Sequence, residues 1–159
     1  MIERDTLLLL PENEFIRHCT VEFFKASGPG GQHRNKTSSA VRLTLNGFGL
    51  RSEDCTERSQ HRNRSNAVKK LKMTLACSIR NTPAQLPERM ECSMNSDDYP
   101  LFAARLLDLL QECGFDHKQC AGRCEISPSA LLKKLSRDPL LWQLFCRERE
   151  ARSLSKLTS

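Results

Sequence analysis

Residues 38–50, SSAVRLTLNGFGL, place Val41, Leu43 and Leu45 in alternation with Arg42 and Thr44, the two-residue period of a half-buried strand. Asn46-Gly47, with Gly49 close behind, supplies the chemistry of a tight hairpin, and Leu50 to Cys55 (LRSEDC) forms a shorter, more polar return strand. Upstream, Cys19 to Lys25 (CTVEFFK) sets Val21 and Phe23 on one side of a further short strand. Downstream, from Ser59, the period changes to three- and four-residue steps. Ala67, Val68, Leu71, Leu75, Ala76 and Ile79 make the apolar stripe of a helix whose other face carries Arg62, Arg64, Lys69, Lys70 and Lys72. Such a helix packs on the hairpin and turns its basic face outward. Residues 12–82 are therefore read as a small α+β domain, a short antiparallel sheet packed against a basic helix.

Residues 83–97 contain Pro, Asn, Asp and Ser without a sustained period and read as a linker. Residues 98–157 read as an all-helical C-terminal module. Asp97 or Asp98 with Pro100 opens a helix striped by Phe102, Leu106, Leu109, Leu110 and Cys113 and stopped by Gly114. A second helix covers about Asp116 to Cys124. Ser127-Pro128 and Asp138-Pro139 each pair an N-cap residue with Pro at the first helical position, opening two more. Gln119 to Leu135 (QCAGRCEISPSALLKKL) is similar to a helix-turn-helix, with Ala121 inward, Ile126 in the turn, Ser127 as cap, and Glu125 where such turns prefer Gly.

Charge separates the two halves. Of 25 Lys+Arg and 19 Asp+Glu, residues 1–80 hold 14 and 8, and residues 81–159 hold 11 and 11. From Arg58 to Lys72 there are six basic residues and no acid. A polyphosphate partner attracts such a segment by counterion release, whereas an ordinary solvated helix face mixes both signs. No apolar run reaches the ~18 residues of a membrane span. The N-terminal MIERDTLLLLPENEF lacks the features of a secretory or organelle leader, so a cytoplasmic protein is expected, its 8 Cys reduced.

The most specific string is Ser27-Gly28-Pro29-Gly30-Gly31-Gln32-His33-Arg34-Asn35-Lys36-Thr37. Three Gly and a Pro in four consecutive positions exclude helix and regular strand, leaving an exposed loop. It has neither the spacing of a P-loop nor that of a dinucleotide fold, which argues against a nucleotide cofactor. This string, within SGPGGQHRNKTSSAVRL and followed by ERSQHRNRSNAVKKLK, resembles the catalytic domain of class I peptide chain release factors and of their short relatives that rescue stalled ribosomes. The resemblance covers roughly residues 15–80, with two separated motif blocks in order.

It implies hydrolysis of the ester joining peptide to tRNA in the ribosomal peptidyl-transferase centre, with Gly30, Gly31 and Gln32 as the catalytic set. A neutral Gln cannot act as general acid or base. Its backbone N–H can stabilise charge developing at the ester, its side chain can admit water while excluding larger nucleophiles, and the glycines permit the close approach. In the family, RNA and the tRNA terminal 2′-hydroxyl complete the site. Asn35, Lys36 and Thr37 shape the loop's exit, and the segments Arg58-Ser59-Gln60 and Asn63-Arg64 head the basic helix. Contact with large-subunit rRNA is assigned to Arg34, Lys36, Arg58, Arg62, Arg64, Lys69, Lys70 and Lys72. His33 is read as a stacking or phosphate-contacting residue, since related sequences manage without a base there.

Two departures stand out. Arg34 occupies a position where many relatives carry Val. Only about a dozen residues precede the match, so no codon-reading domain is expected and release is expected to be codon-independent. Rescue relatives often end in a long basic tail, yet residues 145–159 hold four basic and two acidic side chains. The expected partners are the ribosome and P-site peptidyl-tRNA, with a monomeric protein, no DNA, no membrane and no cofactor. The alternative is a non-catalytic ribosome- or RNA-binding protein on the same scaffold. Cys113, His117, Cys120 and Cys124 are spaced like soft metal ligands on a helix, but Gly114 interrupts the helix after the first, and small buried thiols commonly fill cores. No metal is expected.

Overall fold

The computed structural model describes residues 2–25, 39–155 and 157. The alternating segments form a three-stranded antiparallel sheet in the order β1 (Cys19–Phe24), β2 (Ala40–Leu45), β3 (Leu50–Asp54). Leu45 pairs with both Cys19 and Leu50, and Phe24 pairs with Ala40, so β2 is central and its whole length is matched. Val41, Leu43 and Leu45 are fully buried, as their alternation requires. The connection at 46–49 places Gly47 (φ 82°) and Gly49 (φ 66°) in the left-handed region that favours glycine. Thr20 and His18 tie this turn to β1, through Thr20 Oγ1 to Asn46 Oδ1 at 2.9 Å and Asn46 N–H to the His18 carbonyl at 3.0 Å.

Helix α3 (Gln60–Ser78) packs chiefly on β2 and β3, burying Ala67, Val68, Leu71, Leu75 and Ala76. A buried bond from Ser52 Oγ to the Ala67 carbonyl (2.7 Å) joins sheet to helix. Two elements precede the sheet, α1 (Arg4–Leu9) and α2 (Glu12–Phe15), the latter running into a 3-10 turn over Ile16–His18. Leu7, Leu8 and Phe15 enter the core. The expected domain start at residue 12 leaves α1 out, because four consecutive leucines carry no helical period of their own.

The chain divides into two compact units, Met1–Ser78 and Ile79–Ser159. Residues 83–97, read as a linker, contain no helix or strand but are attached to the second unit. Around them, the Asn81 N–H meets a buried Asp108 carboxylate oxygen at 3.1 Å, the Ala84 N–H bonds to Glu112, and Lys134 pairs with Glu91.

The second unit comprises α4 (Tyr99–Glu112), α5 (His117–Arg123), α6 (Pro128–Ser136) and α7 (Pro139–Ala151). Its caps follow the local sequence. Asp116 accepts from the Lys118 N–H, Ser127 from Ala130, and Asp138 from Leu140 and Leu141. Asp98 differs: it stands at the start of α4 but makes no side-chain capping bond. Asp138 also accepts from the Tyr99 hydroxyl at 2.8 Å, coupling two helix starts. After α4, Gly114 (φ 58°) and Phe115 (φ 60°) are both left-handed, and the Phe115 carbonyl receives the buried Arg149 guanidinium at 2.8 Å.

Ala121 is fully buried and Glu125, at the turn position where Gly is preferred, has φ 55°. A Cβ-bearing residue there is strained, by ~1 kcal/mol. Glu125→Gly is therefore expected to stabilise the second unit by up to ~1 kcal/mol. Thermal unfolding followed by the fluorescence of Trp142, which lies in α7, checks this. Among the described residues, no helix is long and apolar enough to cross a membrane.

Candidate nucleic-acid interface

Strand pairing sets the base of the site. Because Phe24 and Ala40 are partners in the ladder, the chain leaves and re-enters the sheet at neighbouring positions on either side of the glycine-rich segment. Gly30, Gly31, Gln32, His33, Arg34, Asn35, Lys36 and Thr37 lie outside the described residues. The assigned cations on and before α3 are described, and they separate into three groups.

Arg58, Arg62 and Lys69 are exposed. Arg62 approaches Glu57 only to 3.7 Å with 73% of its side chain exposed, a loose surface pair that leaves the guanidinium available. Arg62 and Lys69, seven residues apart, fall on one stripe of the helix.

Arg64 and Lys70 are partly engaged within the protein. Arg64 turns toward Glu12 at 3.7 Å, its Nε buried without a hydrogen bond, while the Lys70 ammonium contacts Asp54 at 2.6 Å and remains about half exposed.

Lys72 departs from its assignment to phosphate contact. Its side chain is buried, with Nζ donating to the carbonyls of Leu8 (3.0 Å) and Leu10 (2.6 Å) and lying 5.4 Å from the centre of the Phe15 ring. The carbonyls ending α1 have no helical partner of their own and present negative charge, so an inward ammonium satisfies them. Position 72 falls on the side of α3 that α1 covers, which the spacing within α3 alone does not reveal.

Two residues organise the turn before α3. The buried Asp54 accepts from the Thr56 N–H (3.1 Å), Thr56 Oγ1 (2.8 Å) and Lys70 Nζ. Burial works to raise its pKa, but the hydrogen bonds from Lys70 and Thr56 outweigh that and hold the carboxyl below its ordinary value. A depressed folded-state pKa gives stability that is present above the unfolded value and lost as pH falls through the folded one. The stability difference between wild type and Asp54→Asn is expected to be flat above about pH 5 and to shrink as pH falls below ~4. Urea titrations across that range test it. Asn63, fully buried, donates from Nδ2 to the carbonyls of Ser39 (2.7 Å) and Glu57 (2.9 Å) and accepts the Glu57 N–H at Oδ1 (2.8 Å). The sequence shows Asn63 only as part of a motif block. Its three partners are 6 and 24 residues away and become visible with the fold.

In the second unit, Cys113 and Cys120 are buried and Cys124 is half-buried. A hydrogen bond between the Cys120 and Cys124 thiols, together with burial, raises the Cys120 pKa, and the same bond lowers that of Cys124. Burial, then the Arg149 charge, lowers the His117 pKa against the pull of Asp116. Among the described residues, no group of three or more His, Cys, Asp or Glu side chains is placed to hold a metal ion.

Residues 15–98, more than half of the chain, match the family model described as RF-1 domain. The chain is also 42% identical over 86 residues to peptide chain release factor 1 of Xylella fastidiosa (strain 9a5c), a match covering 50% of this chain and 24% of that protein. It thus spans about a quarter of the length of that relative. The match takes in the whole sheet, the glycine-rich segment, α3 and the residues that follow it, and so joins the motif blocks to the fold beneath them. The chain belongs to the family of class I peptide chain release factors, through its RF-1 domain.

Proposed function

We propose that this protein promotes hydrolysis of the peptidyl-tRNA ester in the ribosomal peptidyl-transferase centre, without reading a codon. The observation that carries the reading is Gly30-Gly31-Gln32 in a segment whose ends rest on the paired strands β1 and β2 of an RF-1 domain. Gln32 supplies a backbone N–H to the charge developing in the transition state and a side chain that selects water, and Gly30 and Gly31 let the backbone reach the ester. Arg34, Lys36, Arg58, Arg62 and Lys69 meet phosphates of large-subunit rRNA, with Arg64 and Lys70 contributing where their internal partners yield.

The test is peptide release from ribosomes carrying peptidyl-tRNA on mRNA truncated in the A site, on a stop codon and on a sense codon. Wild type is expected to release on truncated mRNA without needing a stop codon, and Gln32→Pro, which removes the backbone N–H, to lower the rate by about 10²-fold, the scale of losing one transition-state contact. Release that depends on a stop codon overturns codon independence. Tight ribosome binding with no release in any context favours a non-catalytic ribosome-binding role. In the same system, Arg58→Ala, Arg62→Ala and Lys69→Ala are each expected to weaken ribosome binding and lower its salt dependence by about one counterion.

A further inference from the structure

We propose that Asn63 is a positioning residue for peptide release, holding the point at which the chain re-enters the sheet after the glycine-rich segment. The inference rests on the release reading above but reaches a residue that does not touch the ester. Ser39 directly precedes β2, and Ala40 beside it pairs with Phe24 at the other end of the segment. The Ser39 carbonyl is taken by Asn63 Nδ2 at 2.7 Å. The second Nδ2 hydrogen and the Oδ1 of the same carboxamide close on the carbonyl and N–H of Glu57. Asn63 itself is fixed in the first turn of α3, its N–H bonded to the Ser59 carbonyl at 3.0 Å. One fully buried side chain thus ties the segment's exit, the turn beside Arg58 and the head of the basic helix together.

The chemistry selects asparagine. Two donors and an acceptor on a short, stiff side chain match two carbonyls and an amide, and each is used. Aspartate, of the same shape, offers no donor and faces two carbonyl oxygens with a negative charge. Glutamine is one methylene too long for a site with no exposed surface. A catalytic loop must be held close to its productive geometry, and a small misplacement transmitted from a distant contact is enough to cost rate. The exposed cations on α3 bind the partner through charge, while Asn63 relates that helix to the loop.

The experiment compares Asn63→Asp and Asn63→Ala with Ser52→Ala, which removes another buried side-chain bond between sheet and α3 but touches neither Ser39 nor Glu57. Amide hydrogen exchange is measured at residues 39–41 and 43–45, and single-turnover release at saturating protein, below the melting temperature of every variant. Expected are faster exchange at 39–41, by about tenfold, with 43–45 little changed, and a maximal release rate lowered at least tenfold while half-saturation moves less than threefold. Ser52→Ala is expected to keep its maximal rate even if equally destabilised. Unchanged exchange at 39–41 in the Asn63 variants overturns the inference whatever release does. Release rates that merely track melting temperature, with Ser52→Ala losing as much as Asn63→Asp, overturn it also. Faster exchange with no release by wild type in any context leaves the Asn63 tether standing and removes the release reading instead.

Discussion

Leu71→Ala is expected to destabilise the first unit by about 3 to 4 kcal/mol, enough to remove most of its stability if that lies at the low end of the usual range. Leu71 has no exposed surface and sits midway along α3, the helix that covers β2 and β3. Removing the branched end of the side chain loses its transfer free energy and opens a cavity that a sheet pinned by paired strands cannot readily collapse to fill. The two compact units make a single melting curve ambiguous. Tyr99 and Trp142 both belong to the second unit, so their signals report the wrong part of the molecule. Hydrogen exchange of the Val41 and Leu43 amides in the central strand reads the first unit directly. The result expected is a loss of protection there of more than a hundredfold, with the amides of α4 as an internal reference. The half-exposed Leu86, replaced by Ala, is the control and is expected to change stability by less than ~0.5 kcal/mol.

Lys72→Met is expected to cost about 2 to 3 kcal/mol while leaving the salt dependence of ribosome binding unchanged. Methionine retains most of the apolar stem, so the loss falls on the ammonium and its hydrogen bonds to Leu8 and Leu10. Hydrogen bonds to charged groups are worth more than neutral ones, and their removal leaves buried carbonyls without a donor. The final turn of α1 also loses a positive charge at its negative end. The outcome separates Lys72 from the neighbouring cations. Arg58, Arg62 and Lys69 variants are expected to alter affinity and its salt slope with little effect on folding, and Lys72→Met the reverse. Hydrogen exchange of the Val41 and Leu43 amides, together with binding titrations at two salt concentrations, distinguishes them. A fall in salt slope for Lys72→Met equal to that for Lys69→Ala overturns the internal role.

These two residues, adjacent on one helix, also mark the boundary of what the sequence discloses. Leu71 is legible as core because it belongs to a periodic stripe that reports on its own helix. Val41, Leu43 and Leu45 are legible for the same reason with a period of two, and the caps at Asp116, Ser127 and Asp138 because a capping bond spans only two or three residues. Even Glu125 shows as the wrong residue for its turn before its φ of 55° is known. The glycine-rich string shows as an irregular loop from its composition, and its residues in order, together with the second motif block, carry the resemblance to the family.

Lys72, Asn63 and Asp54 follow another rule. A lysine among five other basic residues looks like part of a cationic face, and only the docking of α1, more than sixty positions earlier in the chain, turns it inward. Asn63 looks like one polar residue in a helical turn until the sheet brings Ser39 to it. Residues 83–97, read as a linker, likewise find partners in Glu112 and Lys134 on helices that come later. What the sequence determined by itself was each interaction carried by neighbours along the chain: strand alternation, helical stripe, cap, turn and motif. What only the tertiary structure decided was the fate of individual polar groups, because a charge or amide finds its partner by distance in space, and loop closure places that partner at no fixed interval in sequence.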